Sequence, residues 1–305
     1  MQNHEKPLVT IGLPVYNGEK FIRRALDSLL AQDYKNFELI ISDNASTDET
    51  WLICQEYQAK DSRIRCYRND TNLGVSVNFW RVFNLADGEY FMWAGSHDIW
   101  LPDFIGKCLQ VLEADQTVAL SYTEICWIDE QENVCQSLVQ HIDTRGLPVG
   151  QRVHQIISRL NACDMVYGLF RMSVLRKCRQ GLTCLGADMV LLMVVSLHGA
   201  IAEIREPGFL RRVLSRPQLP PSEAIARYIV RIDPAAKHRR NLRIHWEMGF
   251  EYLRGVWVAP LSWLQKLRLL VTVSDAFYRR YHKELKRELF QPHFPQGMAV
   301  DVPDW

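Results

Sequence analysis

Two hydrophobic periods alternate along the first part of the chain. LVTIGLPVY (8–16) is apolar and rich in β-branched residues and breaks at Asn17-Gly18, which predicts a strand and a turn. In the following GEKFIRRALDSLLAQ, the residues Phe21, Ile22, Ala25, Leu26, Leu29 and Leu30 recur at helical spacing. FELIISDNAS (37–46) predicts a second strand ending in Asp-Asn. STDETWLICQEYQAK then predicts a helix with Ser46 as N-cap and Glu49 at the capping-box position. IRCYRN (64–69) predicts a third strand, VNFWRVFNLADG (77–88) an amphipathic helix closed by Gly88, and EYFMWA (89–94) a fourth strand. LPDFIGKCLQVLEA places Pro102 near a first helical turn, and VALSYTEICWIDEQENV (118–134) predicts a strand running into a turn. After Gly146 the pattern turns mostly helical (QRVHQIISRLN, GADMVLLMVVSLHG). RRVLSRPQLPPSEA (211–224) predicts a loop or linker, and residues 225–305 predict helices with basic-aromatic stretches.

Strands alternating with helices of this length imply an α/β fold with a mostly parallel sheet flanked by helices. Ligands of open α/β sheets sit outside the carboxyl ends of the strands. Pro14 to Asn17, Asp43 to Ser46, Asn69 to Gly74 and Gly95 to Asp98 all fall at such ends, so they are expected to converge on one crevice. The switch in pattern predicts a first domain over residues 1–217 and a helical C-terminal region over 218–305.

Composition narrows the classes. The 305 residues are 48% hydrophobic, enough for a large core. A net charge of +1 gives no broad signal for nucleic acid, and none is expected as a partner. Eight cysteines without a C-x-x-C pair argue against a zinc ribbon or a disulfide-stapled module and favour reduced thiols. MQNHEKPLVTIG lacks the apolar core of a signal peptide. The longest apolar run, MVLLMVV (189–195), is far short of the roughly 18 residues that span a bilayer. A cytoplasmic location is therefore expected.

Common phosphate-binding signatures are absent: there is no G-x-G-x-x-G after the first strand and no G-x-x-x-x-G-K-[ST]. What remains is Asp43 at the second strand end and Asp98 at the fourth. Two carboxylates so placed can divide labour, one accepting from a base or ribose, the other holding a divalent cation against a diphosphate.

VTIGLPVYNGEKFIRRALDSLLAQDYKNFELIISDNASTDET resembles the opening of a family 2 glycosyltransferase, the inverting group with the GT-A fold. NDTNLGVSVNFWRVFNLADGEYFMWAGSHDIWLPDFI is similar to that family's continuation, and the similarity is close over residues 8–125 and thins beyond. The resemblance implies that Pro14, Tyr16, Asn17 and Glu19 line the nucleotide side. It implies that Asp43 accepts from the nucleobase with Asn44 and Ser46 beside it, and that Asn72, Gly74 and Asn78 form the wall near base and ribose. It also implies that Asp98 is the metal ligand and Asp188 the general base. Inverting transfer needs those types: a base for the acceptor hydroxyl, and a cation or donors for the departing nucleoside diphosphate. The implied partners are a nucleotide-sugar donor and a glycan or lipid-linked saccharide acceptor, and the implied cofactor is Mn2+ or Mg2+.

Blander readings stand beside these. Asp43 could cap its turn, Asp98 could be a solvated loop residue, and Asp188 could be an N-cap. Two positions depart from the family: the aspartate-rich motif reads Ser96-His97-Asp98, and the usual Arg-x-His reads Arg212-Val213-Leu214. His97 is either a tolerated replacement or a ligand better suited to softer ions than to Mg2+. Arg211, Arg212 or Arg216, in a mobile loop, could meet the diphosphate charge instead. The Trp and Tyr residues of the tail, flanked by Lys and Arg, are either core or a peripheral membrane contact. The rival readings are a sugar-nucleotide nucleotidyltransferase, whose glycine-rich basic loop PVYNGEKF does not supply, and a degenerate binder without turnover.

Overall fold

The computed structural model describes residues 8–137, 141–178, 181–182, 184, 186–214, 227, 230–232 and 243–290. The boundary expected at 217/218 and the arginine at 216 lie outside the described residues. Nine strands of the described residues form one sheet in the order β3-β2-β1-β4-β8-β6-β9-β5, with β7 on β6. They are β1 (Val9–Val15), β2 (Phe37–Asp43), β3 (Ile64–Arg68), β4 (Tyr90–Trp93), β5 (Ile99–Trp100), β6 (Val118–Ile128), β7 (Val134–Ser137), β8 (Leu169–Arg171) and β9 (Ala200–Arg212). The helices are α1 (Ile22–Leu30), α2 (Thr50–Lys60), α3 (Val75–Asn84), α4 (Phe104–Ala114), α5 (Val149–Arg159), α6 (Met172–Leu175), α7 (Ala187–His198), α8 (Ile244–Val258) and α9 (Trp263–Phe290).

The half β3-β2-β1-β4 is parallel throughout, as the alternating pattern predicts. Helices cover both faces, so β1 and β2 are buried nearly all along and read as continuous apolar runs. Pro14 is tolerated in central β1 because β4 pairs with β1 only as far as Gly12, so no ladder bond is lost there.

After Gly146 the described residues are mostly helical, as expected, but they also add two strands that the pattern did not show. Short β8 inserts antiparallel between β4 and β6, and thirteen-residue β9 runs parallel to β6. β9 carries the chain through Arg211 and Arg212, so these two close a strand and are not in a loop. Its period-2 pattern is masked by the charged run EIREPG, whose Arg205, Glu206 and Pro207 are exposed where the β6–β9 register slips. Two-residue β5, also unforeseen, pairs antiparallel with Leu210 and Phe209.

The C-terminal helices are docked, not appended. Arg280 of α9 donates to the Ile157 carbonyl of α5 at 2.6 Å. A Cβ on Gly255 of α8 would stand 2.8 Å from Val194 of α7. His245 at the start of α8 meets the fully buried Glu288 of α9 at 2.6 Å. Among the described residues, no helix is long and apolar enough to cross a membrane, and all eight cysteines are free.

Candidate active site

Short hydrogen bonds tie three of the four strand-end segments together, and Ser96 of the fourth lies against Gly18, where a Cβ would stand 3.2 Å from its Oγ. The Asn17 N–H donates to Ser46 Oγ at 2.9 Å, the Thr47 N–H to Asn17 Oδ1 at 2.9 Å, and the Gly18 N–H to Thr50 Oγ1 at 2.7 Å. Glu19 receives the Glu49 N–H at 2.9 Å. Asn17 and Ala45 both hold positive φ (47° and 62°), uncommon for residues with a side chain, at the two tips that meet. Half-buried Pro14 and Tyr16 complete that edge.

This tie corrects the capping-box reading. Ser46 is not a helix cap, because its hydroxyl serves Asn17 and its N–H serves the Asp43 carboxylate. The helix begins at Thr50 instead, with Asp48 accepting the Thr50 N–H at 3.0 Å.

Asn44 anchors the next loop. Its Nδ2 donates to Asn72 Oδ1 at 2.8 Å, and its Oδ1 accepts from Asn69 Nδ2 at 2.8 Å and the Leu73 N–H at 3.0 Å. Gly74 holds φ 85° at the start of α3, where only glycine sits without strain. Asn78 closes the wall from below through Ser42, accepting from its hydroxyl at 2.7 Å and donating to its carbonyl at 2.8 Å.

Asp43 is fully buried at the end of β2. It does cap its own turn through the Ser46 N–H, and it also pairs with Arg68 Nε at 3.0 Å. Burial raises its pKa above the ordinary aspartate value, against the Ser46 hydrogen bonds and the Arg68 charge.

The other end of the cleft is built by β5 and β9. Arg212 donates its N–H to Asp98 Oδ1 at 2.9 Å, so Asp98 is not a solvated loop residue. Successive side chains of a strand point to opposite faces, which sends Arg211 and Arg212 different ways. The Arg212 side chain is buried over Phe21, 4.7 Å from its ring. It donates to the carbonyls of His97, Asp129 and Glu130 and pairs with Glu132. Those partners occupy its guanidinium in holding the Asp98 loop.

Arg211 points across to Tyr167 and pairs with buried Asp164, which also accepts from Trp127 Nε1 at 3.0 Å. Burial alone would lower the Arg211 pKa, but Tyr167, Asp164, Asp98 and Asp188 outweigh it and hold the guanidinium firmly charged. Burial pushes the Asp164 carboxyl up, opposed first by Arg211. Asp164, Tyr167 and Trp127 went unread in the sequence. A lone aspartate inside the apolar CDMVYG was the available signal, since a buried carboxylate needs a partner.

Asp188 lies in the first turn of α7, half-buried. It is not the N-cap, which is Gly186 at φ 76° with no side-chain cap. Its carboxylate faces the Cys163 thiol, which burial and Asp188 together raise above its ordinary range. The field of Asp188 reaches Arg211 and Tyr167, which also feel Asp98.

A divalent cation would find one free carboxylate oxygen here. Asp98 Oδ2 is buried without a hydrogen-bond partner. Gly95 leaves the space above it, since a Cβ there would stand 2.4 Å from that oxygen. His97 Nε2 stands 3.6 Å from Asp98 Oδ1, and burial and the surrounding arginines lower its pKa against the pull of Asp98. Among the described residues no group of three His, Cys, Asp or Glu could hold a metal ion. The residues therefore fit a cation that Asp98 would touch and that would take most of its ligands from outside the protein, as magnesium commonly does in phosphate sites.

Residues 10–159 match the family described as Glycosyl transferase family 2. That stretch of the chain is of the family's type. It is 35% identical over 116 residues to the Escherichia coli UDP-Glc:alpha-D-GlcNAc-diphosphoundecaprenol beta-1,3-glucosyltransferase WfaP, covering 38% of this chain and 45% of that one. Matches of this kind span less than half the length of the curated relatives. The fold is similar to that of Staphylococcus aureus TarS 1–349 in complex with UDP-GlcNAc, with a TM-score of 0.63 at 15% identity over 92% of this chain and 79% of that one. It is also similar to the mannosyltransferase PcManGT of Pyrobaculum calidifontis in complex with GDP-Man and Mn2+, with a TM-score of 0.51 at 14% identity over 94% and 85%. These likenesses make the fold that of GT-A glycosyltransferases.

Proposed function

We propose that this chain is an inverting family 2 glycosyltransferase, moving a sugar from a nucleoside-diphosphate sugar to a hydroxyl of a glycan or lipid-linked saccharide. The observation that carries the reading is that Asp188 and Asp98 both act electrostatically on Arg211 and Tyr167, on a sheet whose parallel half brings the Asp43 wall to its strand ends. Asp43 takes the base N–H, with Asn44, Ser46, Asn72, Gly74 and Asn78 shaping the wall, and Pro14, Tyr16, Asn17 and Glu19 edging it. Asp188 accepts the acceptor hydroxyl proton as that oxygen attacks the anomeric carbon from the face opposite the diphosphate. The bond to the diphosphate oxygen breaks, and its charge develops beside Arg211. Arg212 acts at one remove, by holding Asp98. Asp98 would hold a divalent cation, whose chemistry would be further neutralisation of the diphosphate charge. WfaP, by its name, acts on a diphosphoundecaprenol-linked sugar, which supports the lipid-linked acceptor class.

Thermal shift against UDP-, GDP- and dTDP-sugars, with and without Mn2+ or Mg2+, tests the donor class, since a ligand bound only by the folded state raises its melting temperature. One donor is expected to stabilise the protein, and indifference to all of them would refute the reading. The single carboxylate of Ser96-His97-Asp98 favours one alternative, a nucleotide-sugar binder without turnover. Donor hydrolysis in the wild type rules that alternative out.

Two further outcomes follow from the cleft. Asp98→Asn keeps an acceptor for the Arg212 N–H but removes the charge. It is expected to abolish the Mn2+ increment of the donor-dependent thermal shift while leaving the metal-free shift in place. Donor binding by Asp43 needs its carboxylate ionised, and burial raises that pKa, so affinity is expected to fall on acidification above the ordinary aspartate range. Arg68 lowers the same pKa, so Arg68→Met is expected to move the acid limb to higher pH. Calorimetric titration across pH reads the direction, and an unmoved or downward limb contradicts the assignment of Asp43 to the base.

A further inference from the structure

The outer stripe of α8 is apolar where a surface helix ordinarily carries charge. Trp246, Phe250, Leu253 and Trp257, spaced by four, three and four, are all exposed, Phe250 by 64% and Trp257 by 65%. The opposite stripe, Ile244, Met248, Tyr252 and Val256, fills the core against α7 and α9. Across the turn, α9 continues with exposed Trp263 (68%), Leu264, Leu267 and Val271 (71%). Lys266 ties the two helices, donating to the Trp257 carbonyl at 2.7 Å.

The earlier turns of α8 carry half-buried Glu247 and Glu251, but charge on the tip beyond them has one sign. Between Tyr252 and Ser274 the charged residues are Arg254, Lys266 and Arg268, with no Asp or Glu among them. Further along α9 the exposed face turns polar, with Ser274, Asp275 and Arg279. Beside the tip, a cavity of about 330 Å³ between α7 and α8 has walls of Leu182, Val190, Leu191 and Val194, with Lys177, Arg254 and Glu251 among its lining residues. An apolar band rich in tryptophan, whose half from Tyr252 to Ser274 carries cations and no anions, matches the interface of a bilayer whose surface is negative. A water-soluble protein partner of comparable size would ordinarily meet a polar rim of both signs.

We propose that α8 and the first turns of α9 are the surface by which this chain lies on an anionic lipid bilayer, with Trp246, Phe250, Trp257 and Trp263 entering the interface and Arg254, Lys266 and Arg268 facing the headgroups. The inference does not depend on the identity of donor or acceptor. It would place the cleft beside a membrane, where a lipid-linked acceptor is found.

Flotation with phosphatidylcholine vesicles, alone or mixed equally with phosphatidylglycerol, tests it. The full chain is expected to float with the mixed vesicles, to float much less with phosphatidylcholine alone, and to dissociate as salt rises. Trp257→Glu/Trp263→Glu is expected to lose at least about tenfold in partitioning. Arg254→Gln/Arg268→Gln is expected to lose about fivefold per charge removed, on anionic vesicles only. Leu264→Gln/Leu267→Gln serves as a second apolar variant should the tryptophan pair lose its thermal transition. No flotation with anionic vesicles, or flotation indifferent to all three variants, overturns the proposal. So does a wild-type dimer in analytical ultracentrifugation that Trp257→Glu/Trp263→Glu turns into monomer without altering flotation.

Discussion

Asp188→Asn is expected to lower transfer by about 10²–10⁴-fold, the range a positioned general base supplies, while leaving donor affinity close to that of the wild type. Asparagine keeps the size and the acceptor oxygen that takes the Met189 N–H at 2.9 Å, so the first turn of α7 is expected to stay as it is. What the substitution removes is the group that can take a proton from the acceptor hydroxyl. The position suits that task because Asp188 stands in the helix first turn without being used as a cap. It is half-buried, within the field of the Arg211 guanidinium, and so placed to act across a cleft. Slow donor hydrolysis should fall along with transfer, because water would use the same base. Calorimetry for donor affinity and a product assay for turnover separate the two effects. Retention of turnover within tenfold would move the base elsewhere.

The parallel half of the sheet was legible because its physics is local. Strands buried on both faces must be apolar throughout, and LVTIGLPVY and FELIISD are. The loops that converge were legible for the same reason, since the carboxyl ends of parallel strands share one edge. Asp43 and Asp98 were found by that argument, and the family resemblance added Asp188. Their neighbours were not visible, because long-range pairing decides them. Asp164 and Trp127 gain their meaning only when β9 brings Arg211 to them, and nothing in CDMVYG announces a strand forty residues on. Arg211 and Arg212 look equivalent as letters. The pleat sends one into the cleft and the other under the Asp98 loop, and that distinction requires knowing that a strand, not a loop, contains them. The Ser46 capping box failed differently. The motif was present, but tertiary bonds to Asn17 and Asp43 outbid the local one. In the tail, periodicity foretold the helices, yet which stripe faces outward depended on how they pack against α5 and α7.

Arg211→Met is expected to cost about 10²–10³-fold in turnover, the scale of losing one preorganised donor to a developing oxyanion, and to weaken donor affinity as well. The prediction rests on what holds the side chain still. Asp164 grips one guanidinium nitrogen, Trp127 fixes Asp164, and Tyr167 lies 5.6 Å below the guanidinium carbon. A cation held this way needs no reorganisation when the diphosphate leaves. The substitution also strands Asp164, which is 4% exposed, without its counter-charge, and breaking such a pair from one side destabilises a fold. Turnover and stability would then fall together, and a simple loss of activity would say nothing about catalysis. Arg211→Met/Asp164→Asn separates them, because asparagine can still accept from Trp127 without carrying a charge. The double variant is expected to recover most of the melting temperature lost by the single one and none of the turnover. Arg211→Lys keeps a positive charge but cannot grip Asp164 and a phosphate oxygen in one plane, so intermediate turnover is expected. If the double variant regained turnover along with stability, Arg211 would be a structural partner of Asp164, and the burden of the leaving group would fall on Asp98 and its cation alone.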